Sequence, residues 1–106
     1  MVINQYDVYW VNLDPTKGSE VSKTRPCVII SPDDMNLYIQ TVIIAPLTHT
    51  IKHNPSRVLC EVTGQKGSVT LDQLRTIDKS RLGNRLGNLG SQEIADIKYI
   101  INQMLC

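Results

Sequence analysis

Only one stretch of this chain spaces its apolar residues as a helix does, and it is the last. Ile94, Ile97, Ile101, Met104 and Leu105 recur at helical intervals, while Gln92, Asp96, Lys98 and Asn102 lie mostly elsewhere. The pattern predicts an amphipathic C-terminal helix that must lay its apolar stripe on another layer. Ser91 is the expected N-cap, and Glu93 in the first turn suits the helix dipole. The rest of the chain follows a different rule.

Upstream, apolar residues come in short β-branched runs cut by Pro and Gly. Tyr6, Val8 and Trp10 alternate with Asp7, Tyr9 and Val11, which predicts a strand with one amphipathic face. Cys27 to Ile30 is a continuous apolar run, expected as a strand buried on both faces. Ser31-Pro32-Asp33-Asp34 ends it and is suited to cap a short helical turn. Ile39 to Leu47 reads as the next strand, and Thr48 to Ser56 as a polar loop holding both histidines. Arg57 to Thr63 and Ser68 to Leu71 read as two strands joined by a turn over Gly64 to Gly67. Asp72 to Asp78 continues in extended or irregular form. Lys79 to Gly90, which contains RLGN twice in tandem, reads as a loop with at most a short strand.

These elements predict a mainly β chain with helices, of the α+β class. Several short, mostly antiparallel strands would form a small curved sheet or a partly open SH3-like barrel, with the C-terminal helix packed on it. At 106 residues the whole of 1–106 reads as a single domain. Phe is absent, so Ile, Val and Leu must fill the core with Trp10 and the tyrosines.

Charge and cysteine usage narrow the function classes. With a formal net charge of +1, any nucleic-acid binding must rely on a local Lys/Arg cluster. Cys27, Cys60 and Cys106 match neither a disulfide framework nor a zinc motif, and read as reduced thiols. The N-terminus has no basic, apolar leader, and no apolar run reaches the roughly 20 residues of a membrane helix. The expectation is a cytoplasmic protein without cofactor or metal. His49 and His53 are four residues apart, but in a loop that spacing puts the rings on no common face. There is no Walker loop and no GxSxG motif.

What remains is a set of polar residues at strand ends. Arg25 precedes Pro26, which biases it towards extended geometry. Thr48 closes the Ile39–Leu47 run, and Asp72 and Gln73 follow the Ser68–Leu71 run. Strand ends can bring such residues to one surface and hold them firmly. Each also has a plainer role available: an ion pair for Arg25, a turn or cap for Thr48, and a pairing with Arg75 for Asp72.

"WVNLDPTKGSE" (Trp10 to Glu20) followed by "TRPCVIISP" (Thr24 to Pro32) resembles the MazF/PemK family of toxin–antitoxin ribonucleases. The likeness continues through "APLT" (Ala45 to Thr48), "GSVTLDQLRTID" (Gly67 to Asp78) and the C-terminal helix, over nearly the whole chain and in order. The resemblance implies an SH3-like barrel of the MazF/PemK/CcdB type that forms a homodimer. It implies a metal-independent endoribonuclease that cuts single-stranded RNA, mRNA above all, at short sequences and so inhibits translation. A cognate antitoxin would block the dimer, and DNA would be met only through the antitoxin complex.

Residue by residue, the resemblance implies that Arg25 and Thr48 are catalytic. Glu20 would support Arg25, Asp72 and Gln73 would lie near the RNA groove, and Asp7 matches an acidic position of some PemK-type members. Some PemK-type members carry a histidine where Ser19 stands and an arginine where Thr70 stands, so their acid–base scheme does not transfer. Lys17, Lys23, Ser19, Thr70 and Arg75 are the remaining candidates for contacting RNA, and His49 beside Thr48 is a candidate proton carrier. The 2′-OH of RNA would attack the adjacent phosphorus, leaving a 2′,3′-cyclic phosphate and a 5′-OH. The Asp14–Thr24 segment would act as a flexible cover over the groove. The rival expectations are a non-catalytic, CcdB-like gyrase poison and a peptide-binding SH3-like module.

Overall fold

A computed structural model describes residues 2–13, 24–49 and 55–106. Strand β1 (Asp7–Asn12) is followed by β2 (Thr24–Ile29), helix α1 (Asp33–Tyr38) and β3 (Thr41–Thr48). Then come β4 (Arg57–Val62), β5 (Gln65–Thr70), a 3-10 turn (Leu71–Gln73), β6 (Arg75–Asp78), a second 3-10 turn (Lys79–Arg81), β7 (Leu82–Asn88) and α2 (Ser91–Leu105). The strands form one sheet in the order β4-β5-β3-β2-β1-β7, with β6 also paired to β3. Every pairing is antiparallel. The two ends of that order approach each other: a β-carbon at Gly87 on β7 would touch Val62 on β4 at 3.6 Å. The sheet is thus curled into a partly open barrel.

Both faces of the central strands are covered. One core joins Val8, Val28, Ala45 and Leu47 to Val58, Val62, Val69 and Ile97 of α2. The other joins Tyr9, Val11, Cys27, Ile29, Ile44 and Ile77 to Ile3. This changes the reading of β1. Its expected amphipathic face is absent, because Val8 and Tyr9 are both buried, one in each core.

Other departures have local causes. Ser31 does not cap α1. Its hydroxyl donates to the buried Asn36 side chain and accepts from the Ile43 N–H. Asn36 also donates to the carbonyls of Ile3 and Ser31, stitching the N-terminal segment to α1. The β4–β5 turn is tighter than expected. Thr63 (φ 51°) and Gly64 (φ 81°) form it alone, the paired positive φ that a two-residue hairpin needs, and residues 65–67 belong to β5. The largest correction is β7, a seven-residue strand where a loop with at most a short strand was expected. Pairing with β1, through two register irregularities, overrides the poor strand propensity of its Gly and Asn residues.

Helix α2 begins at Ser91, with Gly90 as its N-cap. Gly90 has no side chain to cap with, so one half of the usual reciprocal arrangement operates: the Glu93 carboxylate accepts the Gly90 N–H at 2.7 Å. Its second oxygen accepts the Glu61 N–H at 2.8 Å, tying the helix start to edge strand β4. Ile94, Ile97, Ile100 and Ile101 face the core. Met104 and Leu105 do not: both are exposed. Among the described residues, no helix is long and apolar enough to cross a membrane.

Candidate functional site

Strand β3 is where the site is built, because it changes neighbours along its length. Thr41 to Ile44 pair with β6, Ile44 to Pro46 with β2, and Leu47 and Thr48 with β5. The change falls at Pro46, which has no N–H to give to a ladder. Its carbonyl accepts the Thr70 hydroxyl at 2.7 Å.

Arg25, near the start of β2, and Thr48, at the end of β3, lie on strands that pair with each other. The β2–β3 register runs Ile29↔Ile44, Val28↔Ala45, Cys27↔Pro46. That pairing ends at Cys27↔Pro46, two residues short of Arg25 on β2 and of Thr48 on β3, which from Leu47 pairs with β5. Alternation puts both on the same side as Cys27 and Ile44. Arg25 is exposed, and Thr48 is half-buried. Arg75 lies on that side too: it pairs with Ile44, two residues from the Ile77 of the same core. Cys27 records both guanidinium groups. Burial pushes its thiol up to about 12, and Arg75 and Arg25 pull partly the other way.

Thr48 is held by its other neighbour. It pairs with Ser68 of β5, and the preceding Gly67 passes so close that a β-carbon there would lie 2.5 Å from the Thr48 carbonyl oxygen. Only glycine permits that approach.

The remaining candidates scatter. Asp72 and Gln73 sit on the exposed 3-10 turn after β5. Asp72 pairs with Arg57 of β4 at 3.3 Å, not with Arg75. Thr70 is buried, its hydroxyl engaged by Pro46. Asp7 is buried in β1 and paired at 3.2 Å with Arg85 of β7, which raises the Arg85 guanidinium's pKa. His49 is exposed, one residue beyond Thr48. Lys17, Ser19, Glu20 and Lys23, and with them the expected groove cover, lie outside the described residues, as does His53. Among the described residues, no three His, Cys, Asp or Glu side chains converge as metal ligands.

One feature of the corner was not anticipated. On the other side of the sheet, next to Thr48, lies a cleft of about 120 Å³ walled by Trp10, Pro26, Leu47, Cys60, Val62 and Leu86. His49, Gln65 and Lys66 stand at its polar margin. Trp10 was read as a core residue of β1, yet it is 39% exposed. Reading it correctly needs the curl of the sheet, which no local pattern reports.

Comparison with known proteins gives a consistent picture. Residues 4–105 match the family described as PemK-like, MazF-like toxin of type II toxin–antitoxin system. An endoribonuclease MazF of Staphylococcus saprophyticus is 36% identical over 104 residues, covering 91% of this chain and 85% of that protein. The fold is that of a MazE–MazF complex from Deinococcus radiodurans, with a TM-score of 0.85 at 25% identity over 99% of this chain and 96% of that one. It is also that of a mycobacterial endoribonuclease solved with its cognate antitoxin, with a TM-score of 0.84 at 23% identity over 97% and 94% of the two chains.

Proposed function

The chain belongs to the PemK-like, MazF-like toxins of type II toxin–antitoxin systems, and on that premise we propose that it is an endoribonuclease that cuts single-stranded RNA, with Arg25 and Thr48 as its catalytic pair. What supports the pairing is that β2 and β3 pair with each other through Cys27↔Pro46, two residues from Arg25 and from Thr48.

The chemistry suits the residues. RNA brings its own nucleophile, so no metal is required. The 2′-oxygen attacks the adjacent phosphorus and gives up its proton, while the P–O5′ bond breaks and the leaving oxygen takes a proton. The products are a 2′,3′-cyclic phosphate and a 5′-OH. Negative charge builds on the phosphate in the transition state. A guanidinium meets it with two parallel N–H donors. The Thr48 hydroxyl serves the phosphate or leaving oxygen as a short, well-anchored donor. Arginine stays protonated and is a poor base, so His49 at the cleft margin takes the role of proton acceptor in this scheme. Arg75 adds a second phosphate contact, and Gln73, Lys17, Ser19 and Lys23 extend the RNA surface, with Glu20 supporting Arg25.

The same reading makes the protein a cytoplasmic homodimer held in check by a cognate antitoxin, with DNA reached only through that complex. The exposed Tyr99 and Leu105 of α2 supply apolar surface for assembly. A gyrase poison would leave the Arg25–Thr48 corner unused. The endoribonuclease name of the 36%-identical relative favours RNA cleavage over it.

The test is incubation of a long single-stranded RNA with the protein in excess EDTA, beside Arg25→Ala and Thr48→Ala. Discrete cuts with 5′-OH ends are expected. Either substitution should slow cutting about 10²- to 10³-fold, the size of losing one transition-state donor. Intact RNA with a folded wild type, or cutting at the full rate by a folded Arg25→Ala, would overturn the reading.

A further inference from the structure

We propose that Arg57 holds a backbone phosphate of the RNA strand, one that flanks the link being cut. The proposal rests on the ribonuclease reading above and adds a phosphate contact from β4, a strand that reading leaves unused. Position is the first observation. Arg57 on β4 pairs directly with Thr70 on β5, and Thr48 on β3 pairs directly with Ser68 on β5. Residues paired across antiparallel strands share a face, as do residues two apart on one strand. Arg57, Thr70, Ser68 and Thr48 therefore stand on one face of the sheet. The Thr70 hydroxyl donates to the Pro46 carbonyl at 2.7 Å, which ties the partner of Arg57 to the strand that carries Thr48. Two strand spacings and a two-residue offset separate Arg57 from Thr48, roughly 12 Å between α-carbons. At that spacing the two side chains suit neighbouring phosphates of one strand.

The second observation is the state of the guanidinium. The Arg57 side chain is 12% exposed, so its stem is packed and ordering it costs binding little. Its Nε donates to Asp72 Oδ1 at 3.3 Å. That single bond leaves the two terminal amino groups unengaged among the described residues. No buried side-chain nitrogen or oxygen there lacks a partner, so those amino groups come to the surface. A guanidinium anchored on one edge and presented on the other is the fork that fits two phosphate oxygens. Glu61, on the same face of β4, stands opposite Lys66 of β5, so its charge is answered there.

The probe is a short RNA spanning the mapped cut, with one 2′-deoxy sugar at the scissile nucleotide so that it binds without being cleaved. Each phosphate of a single strand that a cation neutralises adds about 0.7 to the slope of log affinity against log salt. Arg57→Gln should lower the slope by about that amount and weaken binding roughly tenfold at low salt. Arg57→Lys keeps the charge and should keep the slope. A neutral methylphosphonate, placed at one link at a time, should weaken wild-type binding at a link beside the cut. At that link it should cost Arg57→Gln nothing further. Losing only the bond to Asp72 would show in urea unfolding and leave the salt slope alone. In the wild type, bound RNA should shield Arg57 from phenylglyoxal, read on its peptide by mass spectrometry.

An unchanged salt slope in a folded Arg57→Gln, or equal labelling of Arg57 with and without bound RNA, would overturn the phosphate contact and leave the ribonuclease reading intact. So would shielding by a polyglutamate peptide but not by RNA. RNA that neither binds nor is cut would overturn both. The labelling arm uses the wild-type chain, so it stands even if Arg57→Gln fails to fold.

Discussion

A β-carbon on Gly67 would lie 2.5 Å from the carbonyl oxygen of Thr48. Backbone meets backbone there, so no side-chain rotation can relieve the contact. Gly67 thereby fixes how close β5 comes to the end of β3, and so where the Thr48 hydroxyl stands. Gly67→Ala should push Thr48 away from Arg25. The expected cost in stability is about 1–3 kcal/mol, as for other overpacked sites. The expected cost in cleavage is larger, on the order of 10²-fold, because small misplacements of reacting groups are severe. Urea unfolding and the cleavage rate, measured on the same preparation, check both. A variant that loses stability but cleaves at the wild-type rate would detach Gly67 from the site.

Glu93 ties the helix to the barrel seam. One carboxylate takes the Gly90 N–H at the start of α2 and the Glu61 N–H on edge strand β4. Glu93→Ala should remove both bonds and lower stability by about 1–3 kcal/mol. Glu93→Gln, which keeps one acceptor oxygen, should cost less. Amide exchange at Glu61 and Gly90 should quicken in the Ala variant ahead of exchange in β1 and β2.

The thiols set an alkaline limit. Burial pushes Cys27 and Cys60 up to about 12, whereas Cys106 is exposed. One thiol should therefore react with a disulfide reagent at neutral pH in the native protein, and all three after unfolding. The raised values also have a sign for stability. Between about 9, where an unfolded thiol ionises, and about 12, the native state keeps protons that the unfolded chain gives up. Stability is therefore fully present below pH 9 and falls as pH rises towards 12. Tyr6 and Tyr9, raised by burial, act in the same direction. Melting temperatures recorded across that interval should drop steadily, and Cys60→Ala should flatten the decline.

Much of this architecture is legible residue by residue. Alternation and β-branched runs locate β1 to β5, because a strand's preference lies in its own side chains. The C-terminal helix declares itself by the spacing of Ile94, Ile97 and Ile101. Strand β7 does not, because Gly83, Asn84 and Gly87 carry no strand preference and β1 recruits them. Met104 and Leu105 continue the helical stripe on paper, but both are exposed at the end of α2. The placement of Arg25 and Thr48 at strand ends follows from Pro26 and Pro46. The pairing of β2 with β3 that brings their strands side by side does not, because it depends on a register between segments far apart in the chain. The cleft is further still from the sequence: Trp10, Cys60 and Leu86 come together only when the sheet curls.

Arg25 and Thr48 are expected to act on one phosphate as a unit. Single-turnover cleavage rates for the wild type, Arg25→Ala, Thr48→Ala and the double variant test it most directly. Residues that stabilise the same transition state are strongly non-additive, so the double variant should be little slower than the slower single one. Losses that multiply, or a single variant that cleaves at the wild-type rate, would show that the two residues do not act together on the phosphate.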